Sequence, residues 1–224
     1  MTDAGAAAAF FDVDKTLIRG SSMFHMACGF AMRGFFTPAQ VGGFVVKQLR
    51  FAAGGEDLRD ISVILEQAQM MAKGRDVTDL VAVGEEIFAE RIIDKVRPEV
   101  LDLARDHLAA GRGVWLVSAT GQEIADMFAR RLGLTGALGT RSETSGGVYT
   151  GRMAGPAMHG PQKAVAITEL AESQGLDLRQ CFAYADSAND IAMLSVVGNP
   201  VAVNPDKRLR QHALEHGWPI RRYR

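Results

Sequence analysis

Two stretches of this chain end an apolar run in a pair of acids, a pattern that can hold a cation. Near the N-terminus the run AAAAFF leads into Asp12-Val13-Asp14 and then Lys15-Thr16. Much later FAYA leads into Asp186, with Asn189 and Asp190 close behind. Carboxylates crowded at short range raise one another's pKa or recruit a metal, and an oxygen donor set suits hard Mg²⁺. Asp is also a favoured helix N-cap, but capping by Asp186 would not require Asp190 as well. A third stretch, VWLVSATG, ends a buried run in Ser118. Its hydroxyl and the following backbone N–H groups could cradle phosphate oxygens, although Ser after a strand also caps helices. The fourth is Lys163, in MHGPQKAVAITEL, at an expected helix start. A cation in a first turn opposes the helix dipole, so phosphate or the carboxylates are expected to hold it; the alternative is a solvated lysine.

Four such stretches act together only on a scaffold that brings them to one edge. Short apolar runs at 7–13, 113–117, 181–185 and 200–203, with a weaker one near 137–140, read as strands. Apolar residues recur at helical spacing over 98–110, 123–132 and 162–174. This alternation predicts an α/β core with a parallel sheet, whose carboxyl edge is the place for a ligand. Residues 20–96 carry helical patterns broken near 34–38, 54–55 and 74, and read as a helical insert. A Gly-Gly within 140–151 predicts a hairpin. The tail 205–224 holds six Lys/Arg against two acids and reads as a solvated surface end.

Composition narrows the function classes. A 224-residue chain that is 47% apolar and 23% charged suits a compact core with a smaller insertion. A net charge of −1 gives no field that would draw the molecule onto nucleic acid or an anionic membrane. Cys28 and Cys181 stand in different segments without zinc-ligand spacing, and read as reduced core residues. The N-terminal apolar run lacks a basic flank and stops at Asp12, and uncharged stretches are too short to span a bilayer. A cytoplasmic protein without stable membrane insertion is the expectation.

DVDKTL, the strand ending in Ser118, Lys163 and ADSAND together resemble the four ordered motifs of the haloacid dehalogenase (HAD) superfamily. The position of the insert, GGVYTG and GNPVAVNPD resemble its phosphoserine phosphatase-like subfamily. The resemblance implies a Rossmann-like core from residues 1–19 and 97–224 and an inserted C1-type helical cap from 20–96. It implies a Mg²⁺-dependent phosphomonoesterase acting on a small-molecule phosphate ester. In that scheme Asp12 is the nucleophile that becomes an aspartyl-phosphate, and Asp14 the general acid and base. Thr16, Ser118, the N–H of Ala119, Lys163 and Asn189 would meet the phosphate or substrate. The Asp12 carboxylate, the Asp14 carbonyl and Asp186 would hold Mg²⁺, with Asp190 behind them on a bound water or Lys163. A phosphotransferase or mutase using the same intermediate, or a regulatory protein that kept the fold, are the alternatives.

The resemblance breaks at one informative place. Relatives that hydrolyse phosphoserine carry an acid just beyond the first motif to meet the substrate ammonium, whereas this chain continues IRGSSMFHM. Ser21 and Ser22 offer hydroxyls but cannot neutralise a buried ammonium. Arg50 and Arg59 are candidates to meet a substrate carboxylate. The insert is rich in Met and Phe: Met23, Phe24, Met26, Phe30, Phe35, Phe36, Phe44 and Phe51. These read first as core of the insert or its seam with the sheet; a subset could instead line an apolar substrate pocket, a dimer patch or a lipid-facing surface.

Overall fold

The computed structural model describes residues 6–35, 42 and 58–223, with side chains omitted over 58–64. Its centre is the strand β1 (Ala8–Asp12), buried at every position. With both faces covered, β1 reads as an unbroken apolar run, as internal parallel strands do. Ala9 and Phe11 enter one core, while Ala8 and Phe10 enter the other on the opposite face. On its two sides lie β2 (Gly113–Gly121) and β6 (Phe182–Ala185), both parallel to it. With β3 (Gly136–Thr140), β7 (Asn199–Val203) and β8 (Ile220–Arg221), the parallel sheet has the order β3-β2-β1-β6-β7-β8. The connections reverse direction between β1 and β6, the switch point at which doubly wound sheets open a crevice beyond their carboxyl ends. Asp12 ends β1 and Asp186 follows β6.

Helices α1 (Ser22–Met32), α2 (Leu58–Ala72) and α3 (Val77–Ile87) follow β1, with a π-helical turn at Phe88–Ile92 and a 3₁₀ turn at Ile93–Lys95. They lead into α4 (Pro98–Ala109), which begins on a proline at a position that needs no N–H donor. The chain leaves and re-enters the sheet layer through two crossings that bond to each other. The Arg19 N–H donates to Lys95 O and the Arg97 N–H to Leu17 O, both at 2.8 Å, around an antiparallel bridge between Ile18 and Val96. A second strap comes from the hairpin β4 (Ser142–Ser145) and β5 (Val148–Met153), turned by Gly146 and Gly147 at positive φ as a two-residue loop requires. The N–H groups of Gly74 and Val77 donate to the carbonyls of Tyr149 and Gly147, both at 2.9 Å. The hairpin is therefore bonded to the turn between α2 and α3.

The remaining helices are α5 (Gln122–Leu132), α6 (Pro161–Gln174), α7 (Ile191–Ser195) and α8 (Lys207–Glu215). The reading of the tail as a solvated surface end is corrected by α8 and β8. Leu209 and Ala213 are fully buried in the second core, and Ala202 and Val203 pair in parallel with Ile220 and Arg221. Basic residues on the outer face of α8 mask the two small apolar positions that dock it. Arg50, Phe36, Phe44 and Phe51 lie outside the described residues, as does the side chain of Arg59. Among the described residues no helix is long and apolar enough to cross a membrane.

A buried polar group ties α4 to the sheet. The Arg112 Nε–H donates to His107 Nδ1 at 2.8 Å, so the ring is neutral and its Nε2–H donates to the Tyr184 hydroxyl oxygen at 2.7 Å. Tyr184 in turn stacks on Phe11 with ring centroids 4.3 Å apart. Burial, with Arg112 second, pushes the His107 pKa down to about 4. Between an ordinary value near 6.5 and that value the unfolded chain takes up a proton the native state refuses, so stability falls as pH drops. Thermal melts of wild type from pH 7 to pH 4 should show this loss, and His107→Gln should lower Tm at pH 7 while losing less on acidification.

Candidate active site

Four loops deliver their polar groups to the carboxyl edge of the sheet at β1 and its neighbours. Asp12 is held in the last position of β1, its neighbours paired on both sides, so its carboxylate has little freedom. Lys163 enters from the first turn of α6, which follows Gly160 at positive φ and Pro161. Its Nζ donates to Asp12 Oδ1 at 2.6 Å and lies 2.9 Å from Asp190 Oδ1, with all three side chains at most 8% exposed. The dipole that disfavours this lysine is thus overcome by two buried carboxylates. Burial works against the ammonium, but Asp12 and Asp190 outweigh it and raise its pKa. Burial also pushes the Asp12 carboxyl up to about 6 against the pull of Lys163, with Asp190 adding to the rise.

Asp186 completes the cluster. Oxygens of Asp12, Asp186 and Asp190 lie within 4.8 Å of one another. Three carboxylates against one ammonium leave two negative charges in excess in a buried space, which matches a divalent cation and an oxygen donor set. Thr16 is fully buried and its hydroxyl donates to Asp186 Oδ1 at 3.3 Å, so this residue braces an acid of the cluster.

Asp14 faces away from that cluster toward α1. The Ser22 N–H donates to its Oδ1 at 2.9 Å and the Ser21 hydroxyl to its Oδ2 at 3.2 Å. Ser21 is the N-cap of α1 and also accepts the Phe24 N–H. The carboxylate therefore sits at a helix N-terminus, yet desolvation raises its pKa despite these bonds. The backbone that separates Asp12 from Asp14 continues through Lys15 at φ 62°, a left-handed position that swings the chain into α1.

Ser118 is buried at the end of β2, where the register to β3 shifts between Val117 and Gly121. Its hydroxyl accepts the Thr120 N–H at 3.2 Å. The Ala119 carbonyl accepts from the Thr140 hydroxyl at 2.7 Å, and that hydroxyl accepts the Met158 N–H at 3.1 Å. Gly139 makes this possible, because a Cβ there would lie 2.8 Å from Gln122 Cα and 2.9 Å from Thr120 O. Asn189 stands on the 3₁₀ turn Ala188–Asp190, its N–H donating to the Ser187 hydroxyl. Asp12, Asp186, Asp190 and Lys163 thus meet at one sheet edge, while Asp14 turns toward α1 and Ser118 lies on the neighbouring strand β2.

The supporting residues Thr140 and Gly139 carry no signal of their own in the sequence, and Asp206 enters it only as the end of GNPVAVNPD, with no role attached to it. Asp206 caps α8 by accepting the Leu209 N–H at 2.7 Å and accepts the Ala188 N–H at 2.9 Å, while its own N–H donates to Asp186 O at 2.8 Å. It fixes the loop that carries Asp186, Asn189 and Asp190. Asp206→Ala should cost about 1 kcal/mol from the lost cap and raise the Mg²⁺ concentration needed for half-maximal thermal stabilisation several-fold; an unchanged Mg²⁺ dependence would show that the loop holds without it.

Residues 9–195 match the family model of haloacid dehalogenase-like hydrolases. Among curated proteins the chain is similar to "Phosphoserine phosphatase SerB1" of Mycobacterium tuberculosis, with 50% identity over 97% of this chain and 71% of that one. Among solved structures it resembles a protein of unknown function from Bordetella pertussis, with a TM-score of 0.82 and 28% identity over 96% of this chain and 98% of that one. A phosphoserine phosphatase holding a phospho-aspartyl intermediate analogue shares the fold, with a TM-score of 0.66 and 18% identity over 98% and 94% of the two chains. The convergence of Asp12, Asp186, Asp190 and Lys163 at one sheet edge and the span of these matches agree: the chain belongs to the haloacid dehalogenase-like hydrolase family, among relatives named as phosphatases.

Proposed function

We propose that the chain is a Mg²⁺-dependent phosphomonoesterase that works through an aspartyl-phosphate on Asp12. The observation that carries this reading is the buried contact of Lys163 with Asp12 inside a cluster of three carboxylates. Residues 1–19 and 97–224 act as the core, and 20–96 as the cap over it.

The Asp12 carboxylate, the Asp14 carbonyl and Asp186 would hold Mg²⁺, which when bound supplies positive charge to the transferring phosphoryl oxygens. Asp12 attacks phosphorus in line, forming a P–O bond as the ester P–O bond breaks. Asp14, protonated at first and raised in pKa by burial, gives its proton to the departing alkoxide. It then takes a proton from the water that attacks phosphorus, releasing phosphate and restoring Asp12. Lys163, the Ser118 hydroxyl and the N–H of Ala119 balance charge on the phosphoryl oxygens, the main contribution in phosphoryl transfer. Asn189 orients the substrate, and Asp190 keeps Lys163 fixed between the two carboxylates.

Ser21 and Ser22 are occupied by Asp14, which gives the departure in IRGSSMFHM a physical sense. Where a phosphoserine enzyme would place an ammonium partner, this chain spends two residues on aiming its acid and base. A small phosphate ester without an ammonium beside the phosphate is the substrate that fits.

Purified protein should hydrolyse 4-nitrophenyl phosphate with Mg²⁺, and Asp12→Asn should abolish turnover; a wild type inert across a broad panel of phosphate esters would overturn the reading. Lys163→Met should lower kcat by about 10²–10³-fold, the loss typical of one charge-stabilising group. With Asp14→Asn, 4-nitrophenolate needs no protonation, so one equivalent should appear as a burst before turnover stalls. A stopped-flow trace without a burst would assign Asp14 a different part.

A further inference from the structure

Beside the phosphoryl site lies a cavity that the chemistry above does not use. It has a volume of about 110 Å³ and runs between α1, α2 and the start of α5, under the hairpin strand β5. Met23, Met26, Phe30 and Leu65 make much of its wall, with Gln69 and Tyr149 among them. Two of its lining residues stand next to groups of the catalytic edge. Met23 follows the residue whose N–H holds Asp14, and Thr120, whose N–H lies on Ser118, is part of the lining. The alcohol of a phosphate ester whose phosphorus lies against Asp12 has this space to enter.

Two features state what the cavity accepts. The first is charge: among the described lining residues there is no Lys, Arg or His, and the one carboxylate, Glu123, accepts a hydrogen bond from the buried Tyr149 hydroxyl. Among these residues a free carboxylate on the substrate meets no counter-charge, and burying it unpaired is costly; Arg50 and the side chain of Arg59 lie outside the described residues. The second is Gln69. It is 7% exposed, lines the cavity, and its Oε1 has no hydrogen-bond partner among the described residues. A buried acceptor left unmade costs about 1–3 kcal/mol, so a ligand that donates to it recovers that loss. At about 110 Å³ the space is smaller than the roughly 150 Å³ cavity that takes up benzene, so it suits one compact ring or a short aliphatic chain and nothing bulkier.

We propose that this cavity is the leaving-group subsite, and that the substrate is a phosphate monoester of an alcohol bearing a compact apolar or aromatic group with one hydrogen-bond donor for Gln69. The assignment rests on the phosphatase reading only for where the phosphoryl group sits. It turns part of the Met- and Phe-rich insert from seam into substrate surface.

Titration calorimetry with phosphonates, which bind without turnover, tests the subsite directly in the full chain with Mg²⁺. Benzylphosphonate should bind at least tenfold more tightly than methylphosphonate. Ala68→Phe, which fills the cavity from its lining, should abolish that advantage while leaving methylphosphonate affinity within about twofold, a retained signal that also shows the variant is folded. Among the three hydroxybenzylphosphonates, the best should exceed the plain ring, and Gln69→Leu should remove that gain alone. Equal affinities for benzyl- and methylphosphonate in wild type, no binding of either, or an advantage that survives Ala68→Phe would each overturn the proposal. Selective phosphonate binding without hydrolysis of benzyl phosphate would leave the subsite standing and refute the phosphatase reading instead.

Discussion

The position of one ammonium inside a low-dielectric cluster of acids decides how the rest of this molecule must be built. Lys163 touches Asp12 and Asp190 at the carboxyl edge of the sheet, where all three side chains are nearly closed to solvent. Burying charges costs several kcal/mol per ion, and removing one partner of a buried pair costs about 3–5 kcal/mol. Such a cluster persists only if its backbone is fixed from every side. That demand explains why β1 is buried on both faces and paired on both edges, and why α6 begins with a positive-φ glycine and a proline before Lys163. The residual negative charge is a property of the arrangement, and it suits a divalent cation.

The helical insert is fixed to this edge at two separate places. Its entry and exit segments bond to one another around Ile18 and Val96, and the hairpin bonds to the turn between α2 and α3. Asp14 lies where the first of these leads into α1, so its carboxylate is aimed by the N-terminus of the insert's own first helix. The apolar cavity occupies the space between the insert and the end of β2. The charged cluster belongs to the sheet edge, whereas the apolar cavity is walled largely by the insert.

Much of this was legible in residue order because strand-end acids, an apolar run and a misplaced lysine each have a physical signature. The run before Asp12 could be read as an internal strand, and Lys163 at a helix start demanded partners that Asp12 and Asp190 supply. The tail was misread because its charges were counted while its inward face was not: Leu209 and Ala213 dock α8, and the short β8 gains pairing only from β7. The residues that brace the site were invisible for a related reason. Thr140, Gly139 and Asp206 act through backbone contacts made across the fold, and no local pattern distinguishes a threonine that accepts one N–H from any other. Gln69 belongs with them, since an unpartnered amide is apparent only once its neighbours are known.

Covalent transfer of the phosphoryl group to Asp12, held by Lys163 and the neighbouring acids, can be trapped. In rapid acid quench of the enzyme during turnover of a phosphate ester, followed by mass spectrometry of its peptides, a phosphoryl-sized mass increase is expected on the peptide containing Asp12, lost on treatment with hydroxylamine and absent from Asp12→Asn. A label on any other residue, or turnover with no covalent label at any quench time and with net inversion at a phosphorus made chiral by oxygen isotopes, would contradict transfer to Asp12.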